Sequence, residues 1–186
     1  LLMKKKIAIL GSTGSIGKNT LDIIKKNQNI FKIELLSTNK NVLKILNQAK
    51  KFKVRNIIIH NNDSFEKYKN FFLLIKIRDF QNIKDYLKKN RKIKFDYTMS
   101  SITGLEGLLP TLEIIKFSKN IAIANKESII CGWSLIKNEL KKNQTNFIPV
   151  DSEHFSILNL IKTEKKSNTV ICYKRRGRIS FCRCKF

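Results

Sequence analysis

A glycine-punctuated turn after an apolar run is the part of this chain whose residue types and spacing best suit ligand chemistry. Residues 7–10 are apolar, and the turn over residues 11–17 reads Gly-Ser-Thr-Gly-Ser-Ile-Gly before a helical pattern begins. Gly11 allows a sharp turn, Gly14 presents no Cβ to a ligand, and Gly17 allows the helix to pack closely on its strand. The turn therefore predicts a strand, a tight loop and a helix start.

Such a helix start is a potential phosphate site, because its free N–H groups and the positive end of the helix dipole attract anions. We expect the loop amides to face an anion together with the hydroxyl groups of Ser12, Thr13 and Ser15. A dinucleotide pyrophosphate is the ligand that this context favours. The spacing G-x-x-G-x-x-G departs from the commoner G-x-G-x-x-G, so a purely structural turn is the alternative.

A second group of polar residues follows the next predicted strand, at residues 31–36. It reads Ser-Thr-Asn-Lys-Asn over residues 37–41 and contains no acid. Folds that bind NAD usually carry Asp or Glu here to hold the ribose 2′-hydroxyl, whereas a cation can meet the 2′-phosphate of NADP. Lys40 therefore favours NADP, and the alternative is one more solvated lysine in a basic chain.

Two further groups follow later predicted strands. Asn125, Lys126 and Glu127 place an amide, a cation and a carboxylate at a helix start, where Glu127 is also favourable against the dipole without any function. Asp151 and Glu153 lie two apart in an extended context and can face one side, as a hard-cation site for Mg²⁺ or Mn²⁺ requires. We expect His154 to be their neighbour and not a ligand, and a capped helix entry is the alternative for this segment.

Short apolar strands alternate with amphipathic helices along most of the chain. Strands are predicted at residues 7–10, 31–36, 56–59, 73–77, 95–99, 120–124 and 146–150. Helices are predicted from residue 17 to about 27 and over residues 42–52, 64–72, 81–89, 105–117 and 126–140, with Pro110 tolerated only near a first turn. This alternation predicts a doubly wound, Rossmann-like α/β domain with a parallel sheet over residues 3–150. Its strand ends carry the polar groups to one edge, where ligands of such sheets bind.

Composition limits the other classes of protein. The chain has 186 residues, a formal net charge of +24 and an apolar content of 42%. The basic residues are spread along every segment without interleaved aromatic residues, so we attribute the charge to a compositional bias and keep a basic nucleic-acid-binding module as the alternative function. The four cysteines show no metal-ligand spacing, and no apolar stretch is long enough for a membrane span. These features predict a soluble cytoplasmic protein with reduced thiols, starting at Met3.

Four motifs in order resemble those of the 1-deoxy-D-xylulose 5-phosphate reductoisomerase family of isoprenoid biosynthesis. They are residues 11–17, GSTGSIG; 104–111, GLEGLLPT; 124–128, ANKES; and 149–154, PVDSEH. The resemblance implies NADPH-dependent rearrangement and reduction of 1-deoxy-D-xylulose 5-phosphate to 2-C-methyl-D-erythritol 4-phosphate. It also implies a divalent metal, Mn²⁺ or Mg²⁺, and a homodimer. Plastid location is the expectation for an organellar member.

The resemblance also implies roles for individual residues. The pyrophosphate would be held by Thr13, Gly14, Ser15 and Ile16; the adenosine end by Lys40 and Asn41; and the rest of the cofactor by Asn125 and Glu127. The catalytic set would be Lys126, Asp151 and Glu153, with Asp151 and Glu153 as metal ligands and Lys126, Ser152 and Glu153 against the substrate. Family members usually have Gly where this chain has Asn39, and Asn tolerates the left-handed backbone that we expect there.

The resemblance ends well before the family's usual length, which is about twice that of this chain. Beyond residue 153 the only carboxylate is Glu164, so the family's third metal-binding glutamate has no candidate here. We expect residues 151–169 to begin an incomplete catalytic domain and little turnover from this chain alone. Residues 170–186 hold four of the seven arginines and three of the four cysteines. This aberrant tail suggests out-of-frame translation or a spliced product, and a basic tail for nucleic acid or membrane is the alternative.

Overall fold

The computed structural model describes residues 3–150, 169–174 and 178–183. In residues 3–150 the strands are β1 (Lys5–Leu10), β2 (Phe31–Thr38), β3 (Asn56–Ile59), β4 (Arg78–Phe80), β5 (Phe95–Ser100), β6 (Ser118–Ile123) and β7 (Asn146–Pro149). The helices are α1 (Ser15–Lys26), α2 (Val42–Phe52), α3 (Asn62–Leu74), α4 (Ile83–Lys89), α5 (Leu108–Ile115) and α6 (Lys126–Lys142). A single 3₁₀ turn, Leu105–Gly107, precedes α5.

The strands form one sheet in the order β4-β3-β2-β1-β5-β6-β7. Strand β1 lies at its centre, where Ile9 is in register with Leu36 of β2 and Met99 of β5, and both pairings are parallel. The chain builds outward from β1 to β4 and then returns to place β5 on the other side of β1. This arrangement confirms the predicted doubly wound α/β fold. It also creates a switch point at β1, and ligands of open α/β sheets bind at such points, beyond the carboxyl ends of the strands.

Helices cover both faces of the sheet, and each face has its own apolar core. Ile7 and Ile9 of β1 pack into one cluster, whereas Ala8 and Leu10 pack into the other. The first cluster includes Leu21, Ile24, Ile45 and Phe72; the second includes Tyr86, Phe95, Ile115 and Ile136. Burial on both faces explains why β1 and β3 contain continuous apolar runs, at residues 7–10 and 57–59.

One predicted strand is wrong. Residues 73–77 were expected to form it, but α3 continues to Leu74 and the strand of this region is β4, Arg78–Phe80. Between them Lys76 adopts a left-handed backbone with φ 55°, which ends the helical path. A short apolar run suits a buried helix and a buried strand equally well, so periodicity alone could not separate the two.

Two backbone expectations can be compared with the structure. Pro110 is the third residue of α5, within the first turn, where a helix leaves N–H groups without partners. The expected placement of Pro110 is therefore confirmed. Asn39 is not among the residues with positive φ in the described part of the chain, so the left-handed backbone expected there is wrong. Its carbonyl oxygen instead accepts a hydrogen bond from the Asn61 N–H at 3.2 Å.

The chain divides into two compact units, one ending at Ile148 and one beginning at Pro149. In the second unit, β8 (Thr169–Lys174) and β9 (Arg178–Arg183) form an antiparallel pair in which Ile171 is opposite Phe181. Four residues singled out in the sequence lie outside the described residues: Asp151, Ser152, Glu153 and His154. Among the helices that the structure does describe, none is long and apolar enough to cross a membrane.

Candidate functional site

The turn between β1 and α1 requires glycine at two positions because a Cβ there would clash with neighbouring backbone atoms. Gly11 has φ 79°, and a Cβ there would lie 2.7 Å from the carbonyl oxygen of Ser101. A Cβ on Gly17 would lie 2.6 Å from the Cα of Ser12. Both distances are far below van der Waals contact, so any side chain would force the turn away from β5 or α1 away from the turn.

Gly14 differs from both, because a Cβ there would meet only the Gly11 carbonyl oxygen, at an ordinary 3.4 Å. It is the N-cap residue of α1 and makes no side-chain cap, and the first turn of α1 contains no acid. The Gly14 N–H donates to the Gly11 carbonyl oxygen at 3.2 Å. The next N–H groups, beginning with those of Ser15 and Ile16, have no carbonyl partner within the helix. The helix start therefore suits an anion from outside.

Hydrogen bonds with Ser37, at the end of β2, and with Gln48, which the sequence did not point to, fix the turn. The Gly11 N–H donates to Ser37 Oγ at 3.0 Å, and the Ser12 N–H donates to the Ser37 carbonyl oxygen at 2.9 Å. Gln48 of α2 donates from Nε2 to the Ser12 carbonyl oxygen at 2.9 Å and accepts from Ser12 Oγ at 2.8 Å. Gln48 is a half-buried polar residue next to the buried Ala49. This position on α2 was the signal from which its role could have been found.

These contacts correct one expectation about the turn. The Ser12 hydroxyl was expected to face an anion, but Ser12 is fully buried and its hydroxyl is directed at Gln48. Burial leaves no room for a ligand at this side chain. The neighbouring Thr13 hydroxyl lies 2.8 Å from the hydroxyl of Thr38 at the end of β2, which ties the turn to the second strand.

Positive charge is concentrated where β2 leads into α2. Lys40 and Asn41 are exposed, and Asn41 is the N-cap of α2 without a side-chain cap bond. Lys18, in the first turn of α1, and Lys44, in the first turn of α2, are exposed lysines that interact with each other. The hydrogen-bond contact with Lys18 lowers the pKa of Lys44, and desolvation and charge repulsion act in the same direction. Two lysines at neighbouring helix starts favour an anion near them.

Asn125 joins the ends of β5 and β6. Its side chain is buried, its Oδ1 accepts the Ser128 N–H at 2.8 Å to cap α6, and its Nδ2 donates to the carbonyl oxygens of Ile102 and Gly104. The following residues, Lys126 and Glu127, are exposed at the start of α6. The side chain of Asn125 therefore shapes the loop after β5, while its two neighbours face solvent at the same edge.

A model of the 1-deoxy-D-xylulose 5-phosphate reductoisomerase family matches residues 7–132. The chain belongs to this family. A relative from Pelagibacter ubique (strain HTCC1062) is 55% identical over 166 residues, which cover 88% of this chain and 42% of the relative. That relative, a 1-deoxy-D-xylulose 5-phosphate reductoisomerase, extends far beyond the matched region, and this chain spans about two fifths of its length.

Solved reductoisomerase structures match the fold. The Zymomonas mobilis enzyme in complex with NADPH superposes with a TM-score of 0.73 at 31% identity, covering 82% of this chain and 40% of that one. A reductoisomerase in complex with NADPH, fosmidomycin and magnesium gives a TM-score of 0.73 at 30% identity, covering 81% and 37%. The matches and the motifs agree on the same family.

The structure gathers most of the predicted reductoisomerase residues at one edge of the sheet. The turn with Thr13, Gly14, Ser15 and Ile16 touches the ends of β2 and β5, and the loop after β5 is bound by Asn125. Lys40 and Asn41 follow β2, and Lys126 and Glu127 follow β6, at the same edge. The expected metal ligands Asp151 and Glu153 lie outside the described residues. Within those residues, no three His, Cys, Asp or Glu side chains are grouped as a metal site.

Proposed function

We propose that residues 3–150 bind NADPH and serve the reductoisomerase reaction as its cofactor domain. The observation that carries this proposal is the uncapped start of α1, which directly follows the central strand and the tightly packed glycine turn. The N–H groups there and the helix dipole bind a pyrophosphate well, and Gly14 leaves room for it to approach the backbone. Thr13, Gly14, Ser15 and Ile16 are the residues that would hold it.

The adenosine end of the cofactor would lie at the start of α2. Lys40 and Asn41 are exposed there, and the exposed Lys18 and Lys44 at the neighbouring helix starts add positive charge. A ribose 2′-phosphate carries negative charge that a 2′-hydroxyl lacks, so these cations favour NADPH over NADH. The NADPH complex of the Zymomonas mobilis relative supports the same choice.

The reacting end of the cofactor would lie near the loop after β5 and the start of α6. We assign Glu127 and the loop held by Asn125 to the cofactor, and Lys126 to the phosphosugar substrate, 1-deoxy-D-xylulose 5-phosphate. NADPH supplies hydride when bound, and a divalent metal supplies Lewis acidity toward the substrate oxygens. The contribution of this domain is to orient the nicotinamide.

The remaining assignments extend beyond the described domain. Asp151 and Glu153 would hold Mg²⁺ or Mn²⁺, because paired carboxylates are suitable ligands for hard cations, and Ser152 with Glu153 would contact the substrate. A magnesium complex of a related reductoisomerase supports the metal. Since the chain spans 42% of its Pelagibacter relative, we expect little or no turnover from these 186 residues by themselves. A homodimer is what the family resemblance implies for the full-length enzyme, and a cytoplasmic location stays a prediction from composition.

Titration of the purified chain with NADPH tests the proposal, with nucleotide fluorescence and the thermal shift as readouts. We expect Lys40→Glu to weaken NADPH binding about tenfold or more and to leave the weaker NADH binding unchanged. Lys50→Glu, an equal charge reversal on an exposed residue in the last turn of α2, is the matched control and should bind NADPH as the wild type does. A folded wild type that binds no NADPH would overturn the proposal.

The nucleic-acid alternative makes a different prediction. A basic module would bind polyanions through counterion release, with affinity that falls steeply as salt increases. Membership in the reductoisomerase family gives no support to that function. We expect an unrelated duplex at physiological salt to compete poorly with NADPH.

A further inference from the structure

Gln48 of α2 contacts the phosphate-binding turn through both ends of its side-chain amide. Its Nε2 donates to the Ser12 carbonyl oxygen at 2.9 Å, and its Oε1 accepts from Ser12 Oγ at 2.8 Å. The Ser12 hydroxyl also lies 3.2 Å from the Ser37 carbonyl oxygen, but its single proton is better placed for Gln48. Because Ser12 is fully buried, water cannot replace these partners.

The first of these hydrogen bonds controls the direction of the next peptide unit. The carbonyl of Ser12 and the N–H of Thr13 belong to one planar trans peptide, so they point in opposite directions. When Gln48 holds the Ser12 carbonyl toward α2, the Thr13 N–H is directed away from α2.

We propose that Gln48 is a positioning residue of the phosphate-binding turn, which orients the Thr13 N–H for the cofactor pyrophosphate without contacting it. This inference rests on the proposed binding of NADPH. A turn held in its binding orientation loses less conformational entropy when the ligand binds, and this gain appears as affinity.

Only an amide can make both contacts at neutral pH. A methionine of similar length would leave the buried carbonyl and hydroxyl of Ser12 without partners. A glutamate carboxylate could accept from Ser12 Oγ but would face the Ser12 carbonyl without a proton to donate. A protonated glutamic acid has one donor and one acceptor, as the glutamine side chain has here. The affinity of Gln48→Glu for the cofactor should therefore depend on pH.

The experiment measures the dissociation constant for NADP⁺, which tolerates acid better than NADPH, in the wild type, Gln48→Met and Gln48→Glu. We expect Gln48→Met to bind about tenfold more weakly at every pH from 5 to 8. Gln48→Glu should bind about tenfold more weakly than the wild type at pH 8 and approach it toward pH 5. Titration of the ligand cancels in the ratio to the wild type. Asn47→Ala, at an exposed neighbouring position on α2, is the control and should leave the ratio at one.

The outcomes separate this inference from the proposed function. Absence of NADP⁺ binding by the folded wild type would overturn both. Wild-type binding with an unchanged dissociation constant in Gln48→Met would overturn the positioning role alone. If Gln48→Met does not fold, Gln48→Glu still decides, because a merely structural residue would not give an affinity ratio that recovers toward acid pH. A ratio independent of pH in Gln48→Glu would therefore refute the inference.

Discussion

Replacement of Asn125 by alanine should strongly destabilise the folded domain. The side chain caps α6 through the Ser128 N–H and donates twice to the loop after β5, all at a buried position. Loss of an N-cap costs about 1 kcal/mol. Each of the two neutral hydrogen bonds contributes about 1 kcal/mol more. Asn125→Ala should therefore lower the free energy of unfolding by about 3 kcal/mol, a large share of the roughly 5–15 kcal/mol of a typical domain.

Urea unfolding of the cofactor-free chain measures this loss. Trp133 is the only tryptophan, and it packs edge-on against Phe147 with ring centroids 5.5 Å apart, so its fluorescence reports on α6. The matched control is Asn41→Ala, since Asn41 is also an N-cap residue but its side chain makes no cap bond. We expect that variant to lose less than about 0.5 kcal/mol. Equal losses in the two variants, at unchanged urea dependence, would refute the assignment of Asn125 as a buried clamp.

Two more predictions concern stability in the same assay. Gly17→Ala should lower the free energy of unfolding by about 3 kcal/mol or prevent folding, because the new Cβ would overlap the backbone of Ser12. Gly14→Ala should lower it by about 1 kcal/mol or less, since a Cβ there meets only the Gly11 carbonyl oxygen. Similar losses in the two variants would contradict the packing of the turn. The hydrogen bond from Lys119 lowers the pKa of Asp96 below its usual value. The contribution of Asp96 to the free energy of unfolding is therefore present above the pKa of the unfolded state and is lost as pH falls through the pKa of the folded state. We expect Asp96→Asn to lower stability at pH 7 by about 0.5–1 kcal/mol and to converge with the wild type in acid, and a constant difference down to the lowest pH would exclude this linkage.

The fold was largely predictable because its signals are local. The bounds of α2 and β3 match the predicted residues 42–52 and 56–59, since apolar spacing within each segment determines which face it buries. The strand predicted at residues 73–77 was wrong because its short apolar run fits two kinds of buried element, and only pairing with β3 selects Arg78–Phe80. Sequence patterns therefore predict helices and strands well and the pairing between strands less well.

The sequence by itself determined the family, the alternation of strands and helices, and the glycine turn, because each depends on residues close together in the chain. Only the tertiary structure decided how the turn is held. Ser12 meets Ser37 and Gln48 across separations of 25 and 36 residues, and Asn125 reaches back 23 residues to Ile102. Hydrogen bonds between such distant residues arise from strand order and helix packing. For that reason the direction of the Ser12 side chain, and with it the role of Gln48, could be read only from the folded chain.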